Sequence, residues 1–333
     1  MIWLPCVLNL PVFRYDLLLC DEAQDLCRSQ QQLALRAGER LILVGDPSQS
    51  IYGFAGADSG SIGRMQENLS QSARGCVSLP LSVTRRCGKA IVKEAQRLVP
   101  EFSAHDTNPE GLISRAFYPV QYTSGQLSNG IQETRPLREG ETDYQTLAQD
   151  RDMVLCRYNA PLVSQCFQFL KKGRKANIQG RDIAAGLVAT VRKQKAVTIP
   201  DLIARLEQWR EYETKKELSK KNPSDARLDA VQDRVDCLLC FCDMVDDRDK
   251  ATPEDVIRKI ESVFTDDKTS PGIKLSSIHK AKGLEAHRVF LLQPKGYEIQ
   301  KWRPNQQEWG IAENRNLLYV AITRAITELV YVS

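Results

Sequence analysis

Two carboxylates, Asp21 and Glu22, directly follow the apolar run YDLLLC of residues 15–20. Paired acids at a strand end suit a metal–nucleotide site. Asp21 would hold Mg2+ through water, and Glu22 would orient or deprotonate an attacking water. The same residues also suit a solvated strand end in which Asp25 caps the next helix. A second apolar run, RLILV (40–44), leads into Gly45-Asp46-Pro47-Ser48-Gln49. Gln49 could hydrogen-bond both a γ-phosphate and the attacking water. Tyr52 and Phe54 lie close enough to link that phosphate to an aromatic platform, on which nucleobases stack at ~1–3 kcal/mol each. The alternative is a tight turn with two core aromatics.

Further along, Arg86 and Arg324 are expected on helices of a second block, where a planar, permanent charge can stabilise phosphoryl transfer. Each could equally be a surface or salt-bridged arginine, although Arg324 closes the apolar stretch YVAIT (319–323). The segment HKAKGLE (279–285) follows the run KLSSI. His279 and Lys282 could contact backbone phosphates, Gly283 permits close approach, and Glu285 could accept a hydrogen bond from a ribose hydroxyl. A strand-to-helix turn with exposed charges is the plainer account. Residues 171–195 hold eight basic side chains against one acid, Asp182, which suits either nucleic acid or a solvated face. Cys237, Cys240 and Cys242 suggest a metal, yet no histidine is near and all three fall in an apolar helical pattern, where cysteine acts as a small hydrophobe.

The elements that must position these residues are legible from pattern. Apolar runs without alternation at 15–20 and 40–44 suit parallel strands buried on both faces. Between them, LCRSQQQLALRAG has helical spacing and ends in Gly38, giving strand–helix–strand with the polar residues at the carboxyl ends of the strands, where open α/β sheets carry their sites. A helix is predicted over 84–100 with Ile91, Val92, Ala95 and Leu98 buried, and 101–150 reads as loops around short strands. Residues 197–265 contain three successive helical patterns. One carries Leu228, Val231, Val235, Leu238 and Cys242 on a single stripe, and another opens on a capping box of Thr252 and Asp255 with Pro253 at the first helical position. Such an all-helical stretch inside an α/β chain predicts a subdomain on the second domain.

Composition bounds the class. The chain has 333 residues with 42% hydrophobic and 26% charged side chains, which excludes disorder and fits two or three domains. No run approaches the ~18 apolar residues of a membrane span. The apolar opening MIWLPCVLNLPVF lacks a basic start and is broken by Pro5 and Pro11, unlike a signal peptide. Ten cysteines are too few for a disulfide scaffold, so a reducing cytoplasm is expected. A net charge of +4 is too mild to indicate nucleic acid by itself.

Taken in order, DEAQD (21–25), VGDPSQSIYGFAGAD (44–58), LPLSVTRRC (79–87), IKLSSIHKAKGLE (273–285) and ENRNLLYVAITRA (313–325) resemble motifs II, III, IV, V and VI of the UvrD/Rep-type superfamily 1 DNA helicases. The resemblance implies an α/β fold: an incomplete RecA-like domain over 1–78, then a second RecA-like domain over 79–196 and 269–333, interrupted by a helical 2B-like insertion at 197–268. It also implies ATP and Mg2+ as cofactors, single-stranded DNA or a duplex with a 3' tail as partner, and 3' to 5' translocation. By resemblance, Asp21 holds the metal, Glu22 activates water, and Gln49, Arg86 and Arg324 reach the γ-phosphate. Arg85, Gly283 and Glu285 belong to the nucleotide site, and Tyr52, Phe54, His279 and Lys282 face DNA.

Three departures accompany the match. Arg85 stands where the family usually has an aromatic against adenine, and Phe54 replaces the commoner tryptophan. More severely, no Gly-x4-Gly-Lys-Ser/Thr loop occurs: the only Gly-Lys pair, Gly88-Lys89, is followed by Ala90 and has Val83 where the upstream glycine should be. That loop supplies an amide cradle and a phosphate lysine. The expectation is a carboxyl-terminal helicase portion that turns ATP over barely by itself, Met1 falling inside the first RecA-like domain. Three explanations remain open: a truncated product, a subunit that pairs with a separate P-loop polypeptide, or a non-catalytic DNA-binding relic. With the phosphate-gripping elements gone, residues 1–78 are expected to be the least stable part.

Overall fold

The computed structural model describes residues 2–53, 60–71, 75–117, 120–121, 133–134, 141–247, 250–265, 271–294, 297–299 and 308–333. Phe54, assigned above to the DNA-facing loop, lies outside the described residues. The chain divides into two compact units, residues 1–110 with 299–323, and 111–298 with 324–333.

The first unit opens with the short helix α1 (Leu4–Val7) and the strand–helix–strand expected from the two apolar runs. These are β1 (Tyr15–Cys20), α2 (Arg28–Ala37) and β2 (Gly38–Leu43), with the strands parallel and Cys20 opposite Leu43. Both-face burial does not follow. Leu18, Cys20, Leu41 and Leu43 are half-buried, whereas the alternate Leu17, Leu19 and Ile42 are exposed, Leu19 by 66%. Among the described residues this sheet has only two strands. Next come α3 (Ser61–Ser70), β3 (Val83–Thr84), α4 (Lys89–Ala95) and β4 (Ser103–Ala104), the last strand parallel to β3. Ile91, Val92 and Ala95 are buried on α4, as their spacing predicted, but the helix is shorter than 84–100, and Leu98 lies beyond it and is only half-buried. Val83 and Thr84 are taken up in the β3–β4 pairing, and Gly88, extended at the N-cap (φ −59°, ψ 154°), starts the helix late.

The second unit is built on one seven-stranded, all-parallel sheet. Its chain order is β5 (Leu112–Ala116), the antiparallel pair β6 (Val120–Gln121) and β7 (Glu133–Thr134) outside the main sheet, α5 (Tyr144–Leu147), β8 (Met153–Cys156), α6 (Asn159–Lys171), β9 (Ala176–Gln179) and α7 (Arg181–Gln194). After these come α8 (Ile199–Leu218), α9 (Asp225–Asp243), α10 (Pro253–Val263), β10 (Phe264–Thr265), β11 (Ile273–Ser277) and β12 (Ala286–Leu292). The chain then returns to the first unit as α11 (Glu308–Ile322) and ends in β13 (Ala325–Val332) of the large sheet. Strand order across the sheet is β10-β9-β11-β8-β12-β13-β5. Every residue of β8 is buried, which is what an apolar, non-alternating strand needs when helices cover both faces.

Residues 197–265 form the three expected helices, and the Thr252–Asp255 capping box is present, with Thr252 N–H donating to Asp255 Oδ2 at 2.8 Å. Leu202, Leu206, Val235, Phe241 and Ile257 from these helices share one continuous hydrophobic core with Phe169 of α6 and with Val154, Leu275 and Phe290 of the sheet. Asp233 of α9 reaches the start of α6, accepting from Asn159 N–H (2.8 Å) and Ala160 N–H (2.9 Å), so an acid distant in sequence caps that helix. Burial raises the Asp233 carboxyl above the ordinary range, and these bonds oppose the rise.

Candidate functional site

The carboxyl ends of β1 and β2 lie side by side, joined by Val44 N–H to Cys20 O (2.8 Å) and Ala23 N–H to Val44 O (2.9 Å). Asp21 and Glu22 emerge there with exposed side chains. Glu22 has left-handed backbone (φ 50°, ψ 40°), a conformation that non-glycine residues hold only when their surroundings dictate it. Its N–H donates to Asp21 Oδ1 at 2.9 Å. Cys27, not Asp25, stands at the N-cap of α2, which removes the plainer role offered for Asp25.

Gln24, which the sequence reading passed over, organises the two strand ends. Only 1% exposed, it donates from Nε2 to Glu22 Oε2 (2.5 Å) and accepts Asp46 N–H at Oε1 (3.1 Å). Gly45 makes room for it, since a Cβ at that position would stand 2.3 Å from Gln24 Oε1. Asp46 in turn caps the short 3-10 turn Pro47–Gln49, accepting Ser48 N–H at Oδ1 and Gln49 Nε2 at Oδ2, both at 2.9 Å. An unbroken hydrogen-bonded series therefore runs Glu22–Gln24–Asp46–Gln49, bringing the water-activating and phosphate-sensing candidates into one rigid frame. The available signal was the alternation of a small residue, Gly45, against a buried amide, Gln24, which one-dimensional reading does not pair.

Arg85 and Arg86 belong to this first unit and are exposed. They precede α4 in a bend instead of lying on a helix, because the helix begins only after Gly88. Arg86 N–H donates to Thr84 Oγ1 at 3.2 Å. Tyr52 is half-buried beside the fully buried Ile51.

The second unit collects His279, Lys282, Gly283, Glu285 and Arg324. The turn after β11 is closed by Ala281 N–H to Ser277 O and Leu284 N–H to Ala281 O, both 2.9 Å. Gly283 sits at φ +81° with open space where a Cβ would be, so backbone conformation, not crowding, favours glycine there. Lys280 pairs with Asp182 at 2.7 Å, and that hydrogen bond holds the Asp182 carboxyl below its ordinary range. Arg324 also lies off the helix expected for it, just past α11, because the chain there turns into β13. It is 2% exposed, donates from Nη1 to Leu284 O (3.1 Å), and its carbonyl accepts Ala286 N–H (3.0 Å). A guanidinium so deeply buried needs such acceptors. Arg324 is thereby tied to the turn that carries Glu285.

Several side chains of the basic stretch 171–195 serve the fold. Lys172 donates to Gln145 Oε1 at 2.6 Å, Arg174 donates to Gln145 O at 2.9 Å and also to Ala148 O, and Arg192 lies 3.9 Å from Glu254. Cys237, Cys240 and Cys242 are buried in the core, and burial pushes the Cys237 and Cys240 thiols up. Among the described residues no group of three or more His, Cys, Asp or Glu side chains is arranged to hold a metal ion. One or two strand-end carboxylates, as in Asp21 and Glu22, fit a Mg2+ held mainly by phosphates and water. No helix among the described residues is long and apolar enough to cross a membrane.

Comparison with known proteins shows the family. The family model of the UvrD-like helicase C-terminal domain matches residues 146–333, and that of the UvrD/REP helicase N-terminal domain matches residues 7–70. F-box DNA helicase protein 1 of Schizosaccharomyces pombe is 26% identical over 95% of this chain and 34% of its own length. ATP-dependent DNA helicase UvrD2 of Mycobacterium tuberculosis and its Mycobacterium bovis counterpart are each 25% identical over 95% of this chain and 47% of their own length. The chain thus spans about a third to a half of the curated relatives it matches. With a parallel-sheet α/β fold and a family match over more than half its residues, the chain belongs to the UvrD-like helicases.

Proposed function

We propose that these residues are the motif II-to-VI portion of an ATP-dependent DNA helicase that moves 3' to 5' on single-stranded DNA, entered at a 3' tail. The observation that carries the reading is the Glu22–Gln24–Asp46–Gln49 series at the ends of two parallel strands. It holds a general base and a phosphate sensor in fixed relation. Asp21 would hold Mg2+, which neutralises developing phosphate charge when bound. Glu22 would accept the proton of the attacking water, and Gln49 would orient that water against the γ-phosphate. Arg86 and Arg324 would supply positive charge to the same phosphate, Arg85 and Glu285 would flank base and ribose, with Gly283 allowing their close approach, and Tyr52, Phe54, His279 and Lys282 would meet DNA. The domain assignment of the sequence reading, including a 2B-like role for 197–268, belongs to this proposal. It follows motif order, whereas the contact-defined units group residues 79–110 and α11 with residues 1–78. A cytoplasmic location is part of the same reading.

A second reading is a DNA-binding module without turnover, whereas a subunit of a split helicase, completed by a separate P-loop polypeptide, shares the catalytic expectation of the first. One experiment separates them. ATP hydrolysis is measured with and without oligo(dT), for the chain alone and mixed with a polypeptide carrying a UvrD-type P-loop strand and helix. The helicase-portion reading expects slow hydrolysis alone and DNA-stimulated hydrolysis in the mixture, reduced about 100-fold or more by Glu22→Gln. DNA binding with no hydrolysis in either sample supports the binding module. Fast hydrolysis by the chain alone that survives Glu22→Gln would sink both.

A further inference from the structure

The 3-10 turn that carries Gln49 is held by α11 as well as by Asp46. Asn316 Nδ2 donates to Pro47 O at 3.1 Å and to Ser50 O at 2.9 Å, so its two amide hydrogens bracket Gln49. Three residues earlier on the same helical face, Glu313 Oε1 accepts Gly53 N–H at 3.0 Å, immediately past Tyr52. Gly53 permits that approach, because a Cβ there would stand 3.2 Å from Glu313 Oε1. All of these residues lie in the first unit. Besides the Asp46 cap, the turn is held by Gln49 N–H to Asp46 O (2.9 Å), Ser50 N–H to Pro47 O (3.3 Å), Ser50 Oγ donating to Gln24 O (3.3 Å), and Ile51 as its buried anchor.

We infer that Glu313 and Asn316 are positioning residues through which α11 fixes the 47–53 turn and thereby sets how Tyr52 is presented to single-stranded nucleic acid. The inference rests on the proposed base-stacking role of Tyr52. Its chemistry is directional. The Asn316 amide faces two carbonyl oxygens, so the isosteric carboxylate of an aspartate would replace attraction with repulsion at both. At 313 the requirement is for an acceptor only, which a glutamine carbonyl oxygen also supplies.

The test uses the full chain with Asn316→Asp, Asn316→Ala and Glu313→Gln. Amide hydrogen exchange is followed over residues 47–53, with β8 and β12 as internal controls of folding, and affinity for fluorescent oligo(dT) is measured at fixed salt. Asn316→Asp is expected to speed exchange in the turn about tenfold and to weaken oligo(dT) binding by a similar factor, from loss of hydrogen bonds worth about one decade together. Asn316→Ala should do less, and Glu313→Gln should stay near wild type. Unchanged exchange in Asn316→Asp overturns the latch. Faster exchange with unaltered oligo(dT) affinity overturns its role in presenting Tyr52. Failure of the wild-type chain to bind oligo(dT) would count against the helicase reading instead, and the exchange comparison would still decide the latch.

Discussion

Two parallel sheets in one chain are buried to opposite degrees. In the seven-stranded sheet, β8 is buried along its whole length and β12 over its last four residues, between layers of helices that share a single core. In the two-stranded sheet β1–β2, the apolar side chains stand half in solvent, Leu17, Leu19 and Ile42 being exposed. Apolar content alone therefore does not decide burial; the number of covered faces does. The candidate base and phosphate sensor are carried by the poorly covered sheet, and hydrogen bonds through Gln24, Asp46 and Asn316 hold them. By contrast, the turn bearing Glu285 is fixed to a well-packed strand and to the buried Arg324.

The sharpest way to break this comparison is native-state hydrogen exchange. Amides of β1 and β2 should exchange through openings about a thousandfold more frequent than those of β8 and β12, and equal protection would contradict the contrast. Truncation should follow the same division. Leu155→Ala in β8 is expected to cost about 3 kcal/mol in urea unfolding, against less than about 0.5 kcal/mol for the exposed Leu19→Ala. Asp233→Ala strips the cap from α6, taking the acceptor from the half-buried Asn159 N–H and the buried Ala160 N–H, with an expected loss of about 2 kcal/mol. In the first unit, Gln24→Ala should cost about 1 kcal/mol and speed exchange at Asp46 N–H while leaving β8 unchanged. Smallest is a pH effect at α10. Thr252 N–H, then Arg258, hold the Asp255 carboxyl down to about 2. A depressed carboxyl stabilises above its unfolded value and loses that contribution as pH falls between about 4 and 2. Amide exchange at the start of α10, corrected for the intrinsic pH dependence of exchange, should rise over that window and not between pH 5 and 8.

Much of this was legible in one dimension. The runs at 15–20 and 40–44, the helix between them, the helix α9 and the Thr252–Asp255 box all depend on near neighbours in sequence, and all formed, although α9 is buried on every side from Val235 to Cys242 and not along one stripe. What sequence could not supply was how many partners a strand would have, since exposure of Leu17 and Leu19 depends on tertiary cover. Helix limits near Arg86 and Arg324 were misread for a related reason. Pairing of Val83–Thr84 with Ser103–Ala104, and of β13 with β12, overrides local helical spacing. At the candidate site the charged residues announced themselves by type, whereas Gln24, Asp46, Glu313 and Asn316 act through contacts between segments up to 269 residues apart.

The fit of Gln24 into the space left by Gly45 has a consequence for descent. A side chain at 45 would meet Gln24 Oε1 at 2.3 Å, Ile62 Cδ1 at 2.9 Å and the Ala23 nitrogen at 3.0 Å, so it must displace the Gln24 amide, and a smaller residue at 24 leaves Glu22 without its tether. The constraint runs one way: position 24 can change alone at the cost of the Glu22 tether, whereas a change at 45 should be inherited only beside one at 24.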